Sequence, residues 1–277
     1  MTNGRSGCHS ERSEESYTDN ITSYGDLRVE KITVTIICTN EEKKIRGALE
    51  SVKWADEIVI IDGGSTDKTL EICREYTDNV FINPWPGWIE QKNFAISKSK
   101  NKWILSLDSD ERVSKELMKE INNELSCGGY DGYHIPIKPF YIGKPVLHCG
   151  WYPGYKMRLF NKEKGGWGGT EPHESLIFSG KAKILKSDID HFAYDSIEEH
   201  LLKINIYSKV GADLLIKNGK RVSFPDLILR PVFTFIKQYI LQFGFLDGWR
   251  GFLVCAFSSY ANLAKYSRAW EKQNSKS

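Results

Sequence analysis

Four runs of apolar and β-branched residues mark the N-terminal part of the chain: residues 31–38 (KITVTIIC), 57–61 (EIVII), Val80–Ile82 and 103–107 (WILSL). The longer runs are apolar without alternation, the pattern of strands buried on both faces of a parallel sheet. Helical patterns fall between them, over residues 42–52, 66–76 and 89–99. After the fourth run Val113, Leu117, Ile121 and Leu125 recur every four residues, with Ser114 placed to cap the helix. Strands and helices alternating at this spacing predict βαβ units and a mostly parallel sheet covered on both faces, an α/β core of nucleotide-binding type.

The texture then changes. Residues 130–191 are dense in Gly, Pro, Trp and Tyr, and their short alternating pieces predict hairpins and long loops over the sheet's edge. Ser196 and Glu199 form the S-x-x-E pattern of a capping box. It opens a helix carrying Leu201, Ile204, Tyr207 and Leu214 that ends near Gly219. The division expected is a polar leader over 1–30, a catalytic domain over 31–195 and a helical region over 196–277. The leader has too little apolar surface to offset the entropy of ordering, and it lacks the apolar segment of a secretory signal. It reads as disordered, or as the product of a start codon chosen too far upstream.

Composition changes this picture at one end only. The chain has 277 residues with a net charge of +2, too balanced for a dedicated nucleic-acid binder. Its 40% hydrophobic and 27% charged content also excludes wholesale disorder and a polytopic membrane protein. Residues 221–277, however, hold eight basic and three acidic residues and twelve aromatics. Their apolar runs 231–236 and 251–257 are far short of the roughly 20 residues a spanning helix needs. A basic, aromatic, amphipathic extension of this kind suits the surface of a membrane, with packing on the main domain or a homodimer contact as alternatives. The six cysteines are scattered and form no C-x-x-C pair, so no zinc ribbon is supported. Cys38 and Cys73 read as small buried hydrophobes. A reducing cytosol fits, with the protein peripheral on the inner face of the cell membrane.

In open α/β sheets ligands bind beyond the carboxyl ends of the strands. Three of those ends carry acid-rich turns: Thr39-Asn40-Glu41-Glu42, Asp62-Gly63-Gly64-Ser65-Thr66-Asp67 and Asp108-Ser109-Asp110-Glu111. One such turn is an ordinary helix cap; three at neighbouring strand ends point to a shared acidic site. No G-x-G-x-x-G and no Walker-type loop occurs. The run from Asp108 begins like a calcium loop, yet Val113 and Lys119 stand where that loop needs Gly and Glu. What remains is a D-x-D pair, able to hold a divalent cation, Mg²⁺ or Mn²⁺, that bridges to a diphosphate.

The ordered segments TIICTNEEKKI, VIIDGGSTDKT, EQKNFAI and WILSLDSDE resemble the motifs of glycosyltransferase family 2. The resemblance is greatest to bacterial lipopolysaccharide-core β-1,4-glucosyltransferase-like proteins and spans residues 32–191. It implies a GT-A fold and an inverting transfer from a nucleotide-diphospho-sugar, a UDP-sugar foremost. By the same resemblance Thr39 and Glu41, with Asn40 between them, are the first nucleotide contacts, and Asp62 holds the base. Lys92 and Asn93 lie near the donor ribose or diphosphate. Asp108 and Asp110 are the D-x-D pair, with Asp110 nearer the metal. A late histidine reaches the metal in many GT-A enzymes, which makes His191 a candidate ligand beside an ordinary structural role.

An inverting transfer also needs a base for the acceptor hydroxyl. The segment Trp167-Gly-Gly-Thr-Glu171-Pro-His173-Glu174 resembles the family's carboxylate-presenting loop, with Glu174 the first candidate and Glu171 the second. His148 and Trp151, beside Gly150, suit an acceptor pocket or plain core packing. The expected substrates are a nucleotide-sugar and a membrane-associated glycan or glycolipid such as lipopolysaccharide core. Transfer to a polyprenyl phosphate or another polysaccharide precursor is the enzymatic alternative. A non-catalytic, membrane-held sugar-nucleotide-binding scaffold is the other; it has no need of the D-x-D pair or the paired acids.

Overall fold

The computed structural model describes residues 30–170 and 173–275. The expected leader, apart from Glu30, and Glu171 lie outside the described residues. The N-terminal half alternates as the sequence predicts: β1 (Ile32–Cys38), α1 (Ile45–Ser51), β2 (Glu57–Asp62), α2 (Thr69–Arg74), β3 (Val80–Ile82), α3 (Trp88–Lys98) and β4 (Trp103–Asp108). These four strands are parallel in the order β3-β2-β1-β4. β1 and β2 are buried along their whole length, and the helices cover the faces, which is why the runs are apolar without alternation. A short β5 (Glu111–Val113) precedes α4 (Lys115–Cys127), whose buried residues are Leu117, Ile121 and Leu125. Ser114 caps α4 by accepting from the Leu117 amide, while Val113 belongs to β5 rather than to the helix.

The middle segment departs from expectation. It adds β6 (Gly132–Tyr141), β7 (Lys144–Pro145), β8 (Gly154–Asn161), β11 (Ala182–Ile184) and β12 (Ile189–Tyr194) to the main sheet. The order becomes β3-β2-β1-β4-β8-β6-β12-β5, with β8 and β5 reversed, so β6 is an interior strand and not an edge hairpin. Pro136 and Pro139, residues normally confined to edges, disguise it. Only β9 (Gly165–Thr170) and β10 (His173–Phe178) form the expected separate hairpin.

Three helices follow: α5 (Ile197–Lys217), α6 (Phe224–Ile236) and α7 (Gly248–Asn274). Ser196 caps α5 through the Glu199 amide, and the Glu199 carboxylate reaches back to the Asp195 amide, one residue before the usual capping-box partner. The helix closes with Gly219 at φ +68° and paired bonds from Gly219 to Ile216 and Lys220 to Leu215. α7 packs between α5 and α6 and meets the core through Val254 and Cys255 against Tyr141, Val146 and Cys149. His148 and Trp151 serve this junction. His148 binds Asp247 through both its backbone amide and its ring, and Trp151 packs beside Tyr141 and Tyr194. The inner face of α7 therefore follows the packing alternative. The outer face of α6 and the turn after it does not, since Phe224, Leu229, Phe233, Leu241 and Leu246 are each at least 60% exposed.

Candidate active site

Sheet register brings the three acidic turns together: Cys38 lies opposite Asp62, and Ile37 opposite Asp108. The turn after β2 is organised by its own acid. One Asp62 oxygen accepts the amides of Gly64 and Ser65 at 2.8 Å each, and the other accepts the Ser65 hydroxyl. Asn40, at φ 55°, ties this turn to the one after β1 by accepting the Thr66 amide and donating its own amide to the Ser65 hydroxyl. Asp62 is fully buried, and neither residue lines the neighbouring cavity. Both side chains are engaged by turn amides, as short polar side chains beside such amides commonly are. Thr39 and Glu41 do line the cavity. Burial, and then the charge of Asp110, raises the Glu41 carboxyl above its usual range.

The D-x-D turn divides its two acids between different tasks. Asp108 accepts from Arg158, which also binds Glu111, and lies 3.6 Å from the Lys92 ammonium. Arg158 is 1% exposed. Burial opposes the charge on Asp108, but the facing Arg158, Lys92 and Lys156 outweigh it and hold the carboxyl well below the usual range. Asp108 thus lines the cavity while paired with Arg158 and facing Lys92. Asp110 also lines the cavity, with its carboxylate 3.4 Å from Nε2 of His191, and β12 holds His191 opposite Glu111.

The β9–β10 hairpin brings the third component. Register places Glu174 opposite Gly169, and its carboxylate lies 3.2 Å from the Lys92 ammonium. Lys92, 5% exposed, also sits 4.2 Å over the Trp167 ring. Asn93 is turned away from the cavity. Its amide donates to the Trp167 carbonyl and accepts the Trp167 N–H, both at 2.9 Å, so it clamps the hairpin to α3. On α3 Asn93 follows Lys92 by about 100°, and that rotation aims it at β9.

These parts enclose a cavity of about 560 Å³ lined by Thr39, Glu41, Lys92, Asp108, Asp110, Glu174 and His191. Its rim adds Trp85, Trp88, Lys156, Tyr194, Lys203 and Tyr207, none of them expected at the site from sequence. Trp85 and Trp88 stand edge to face at 4.6 Å, and the Trp-Pro-Gly-Trp run that carries them was a readable signal of an aromatic rim. Arg158 was also missed; an arginine beside Leu159 and Phe160 inside β8 needs a buried acid, and that was its only signal.

Among the described residues no group of three or more His, Cys, Asp or Glu converges as a complete metal cage. Asp110 and His191 supply one carboxylate and one imidazole to the cavity. That donor set fits a Mn²⁺ or Mg²⁺ ion whose remaining ligands are water and phosphate oxygens.

The chain's residues 33–182 match the family model described as glycosyl transferase family 2. An uncharacterized glycosyltransferase of Rickettsia typhi is 32% identical over 260 residues, covering 86% of this chain and 87% of that protein. The lipopolysaccharide core biosynthesis glycosyltransferase LpsC of Rhizobium meliloti is 30% identical over 231 residues, covering 80% and 85%. The solved structure of S. aureus TarS 1–349 aligns over 89% of this chain and 92% of its own at 16% identity and a TM-score of 0.43. The match to the family model and the identity to its relatives place the chain in glycosyltransferase family 2.

Proposed function

We propose that the chain is an inverting, metal-dependent hexosyltransferase that moves a sugar from a nucleotide-diphospho-sugar, most simply a UDP-sugar, to a glycan of the lipopolysaccharide-core class. The observation that carries this reading is that Glu174, the Asp110–His191 pair and the strand-end residues Thr39 and Glu41 open on one cavity. The name of the similar protein LpsC supports the acceptor class. In the reaction the acceptor oxygen forms a bond to the donor's anomeric carbon as the bond to the diphosphate breaks. Glu174 takes the acceptor's proton, and Lys92 orients that carboxylate. No protein nucleophile is required. A bound Mn²⁺ or Mg²⁺ supplies charge to the departing diphosphate. Asp110 and His191 would hold that ion, while Arg158 keeps Asp108 and its turn in place.

We further place the acceptor at a membrane surface. No single helix among the described residues is long and apolar enough to cross a bilayer, although the helical segments Phe224–Leu241 and Gly244–Asn274, bent by 73°, pass together by length and composition. The exposed side of α6 presents Phe224, Ile228, Leu229, Val232 and Phe233 as one stripe, continued by Leu241, Phe243 and Leu246. With the basic excess of residues 221–277 it suits the cytoplasmic leaflet, where anionic lipids attract Lys and Arg. Nucleotide release from a panel of donor sugars, with Mn²⁺ and with EDTA, tests the activity. Release from no donor, or full release in EDTA, rejects the corresponding part of the reading.

A further inference from the structure

A second cavity, of about 300 Å³, opens between α5 and α7. Trp151, Tyr194, His200 and Phe257 give it aromatic surface, while Ser208, Asn262 and Lys265 give it polar groups. The aromatic part is held in place: His200 stacks on Tyr194 at 4.1 Å, meets Phe257 edge to face at 4.9 Å and is hydrogen-bonded to the Tyr141 hydroxyl. Tyr194 and Tyr207 line this cavity and the donor cavity alike, so the two spaces are neighbours across these rings.

The charge beside this cavity is one-sided. Arg268 donates to the Asn205 carbonyl, the Asn205 side-chain oxygen and the Ser208 hydroxyl, all of them neutral. Burial, and then the cations Arg230 and Lys220, lower the Lys265 ammonium below its usual range, and no acid acts on it. The other two cations nearby are neutralised, Arg230 by Asp226 and Lys272 by Asp213. Lys265 and Arg268 are therefore left without a carboxylate among the described residues. Gly211 makes the place for Lys265. Glycine is disfavoured against alanine inside a helix, but a Cβ at this position of α5 would lie 2.8 Å from Cδ of Lys265.

Two uncompensated cations beside aromatic rings suit an anion carried on an amphipathic molecule. The volume is at the lower end of the range, roughly 300–1,000 Å³, of pockets that enclose small ligands, so it admits a headgroup and not acyl chains. The neighbourhood indicates the source. α7 packs between α5 and α6, and α6 carries the exposed stripe of Phe224, Leu229 and Phe233. A leaflet that takes up this stripe brings its headgroups alongside the same layer of three helices, the level at which Trp and Tyr are enriched and anionic lipids attract Lys and Arg.

We propose that the cavity between α5 and α7 binds the phosphodiester headgroup of an anionic phospholipid, its phosphate at Lys265, with the charge of Arg268 behind Ser208, and its glycerol part against Trp151 and Phe257. The proposal rests on the membrane reading above and adds to it a defined headgroup site. Because Tyr194 and Tyr207 belong to both cavities, a lipid held here sets the donor cavity at the surface of the leaflet.

Lys265→Gln removes no hydrogen bond or ion pair among the described residues, only the contact with the Tyr266 ring, so the variant should fold. Lys265→Gln with Arg268→Gln is the stronger perturbation, and Lys217→Gln with Lys237→Gln, both exposed and outside the cavity, is the control of equal charge. The probes are dihexanoyl-phosphatidylglycerol as monomers, dihexanoyl-phosphatidylcholine and inorganic phosphate, each titrated into full-length protein by calorimetry. Flotation with phosphatidylcholine vesicles, with and without phosphatidylglycerol, is read alongside. The wild type should bind the phosphatidylglycerol saturably and more tightly than the other two probes. Lys265→Gln should weaken that binding by about fivefold and the double variant by about tenfold or more, while the control stays within about twofold. Binding unchanged in the double variant, weakened equally in the control, or equally tight for phosphatidylcholine overturns the site. Inorganic phosphate bound as tightly as phosphatidylglycerol overturns the lipid as its occupant. A wild type that floats with anionic vesicles yet does not bind the monomeric lipid overturns the headgroup site alone; one that does neither overturns the membrane reading as well.

Discussion

Asn93 offers a clean separation between a residue that holds substrate and one that holds protein. Its side chain makes two 2.9 Å hydrogen bonds to the backbone of Trp167 and does not line the donor cavity. Asn93→Ala removes both. At about 0.5–1.5 kcal/mol net for each bond, the docking of the hairpin on α3 weakens by about 1–3 kcal/mol. The Lys92–Trp167 contact and the β9–β10 ladder remain, so the hairpin loosens rather than unfolds. Hydrogen exchange reads this directly: the Trp167 amide should lose protection by roughly fivefold to a hundredfold, since 1.4 kcal/mol is a factor of ten. Glu174 lies on the partner strand, so turnover should fall by about tenfold as its carboxylate loses alignment. UDP affinity should be unchanged. Asn93→Asp keeps the acceptor for the Trp167 N–H but loses the donor to its carbonyl, and should fall between wild type and Asn93→Ala. A variant with normal Trp167 protection and UDP binding weakened tenfold or more would refute the clamp and return Asn93 to the donor.

Removing the buried guanidinium with Arg158→Met strands Asp108 and Glu111, and should cost about 3–5 kcal/mol in denaturant unfolding. Asp110→Ala should abolish transfer while leaving the protein folded, because its carboxylate faces the cavity; EDTA should mimic it and Mn²⁺ should reverse EDTA but not the mutation. His200 is buried against Tyr194 and beside the Tyr141 hydroxyl, and burial, followed by Lys203, lowers its pKa to about 4. The unfolded chain therefore binds this proton first: the native state loses stability as pH falls from about 6.5 to about 4, by up to ~3 kcal/mol. His200→Phe should flatten that part of the melting-temperature profile. Phe233→Glu with Leu229→Glu should abolish flotation with anionic liposomes, whereas high salt should loosen the wild type only in part.

The parallel half of the sheet was readable because strands buried on both faces are continuously apolar and the intervening helices repeat on schedule. Strand β6 was not, since Pro136 and Pro139 carry an edge signature into an interior position that only the pairing with β8 and β12 explains. At the site, residue types at the strand ends located the chemistry but not its division of labour. Asp108 and Asp110 are two residues apart and look alike in sequence. Only the position of Arg158, 50 residues away, pairs one with a buried guanidinium, while the other sits beside His191. Asp62 and Asn40 were captured by local turn amides, an outcome set by backbone geometry, and Asn93 by a strand 74 residues distant.

The central claim is that Glu174 is the base that frees the acceptor oxygen. Glu174→Gln is close in shape and can still accept a hydrogen bond from Lys92, so the cavity should persist while the proton acceptor is lost. Measured on full-length protein with its best donor sugar, turnover should drop by about 10²–10⁴ with UDP affinity unchanged by calorimetry. A Glu174→Gln protein that transfers sugar at near wild-type rate would contradict the account.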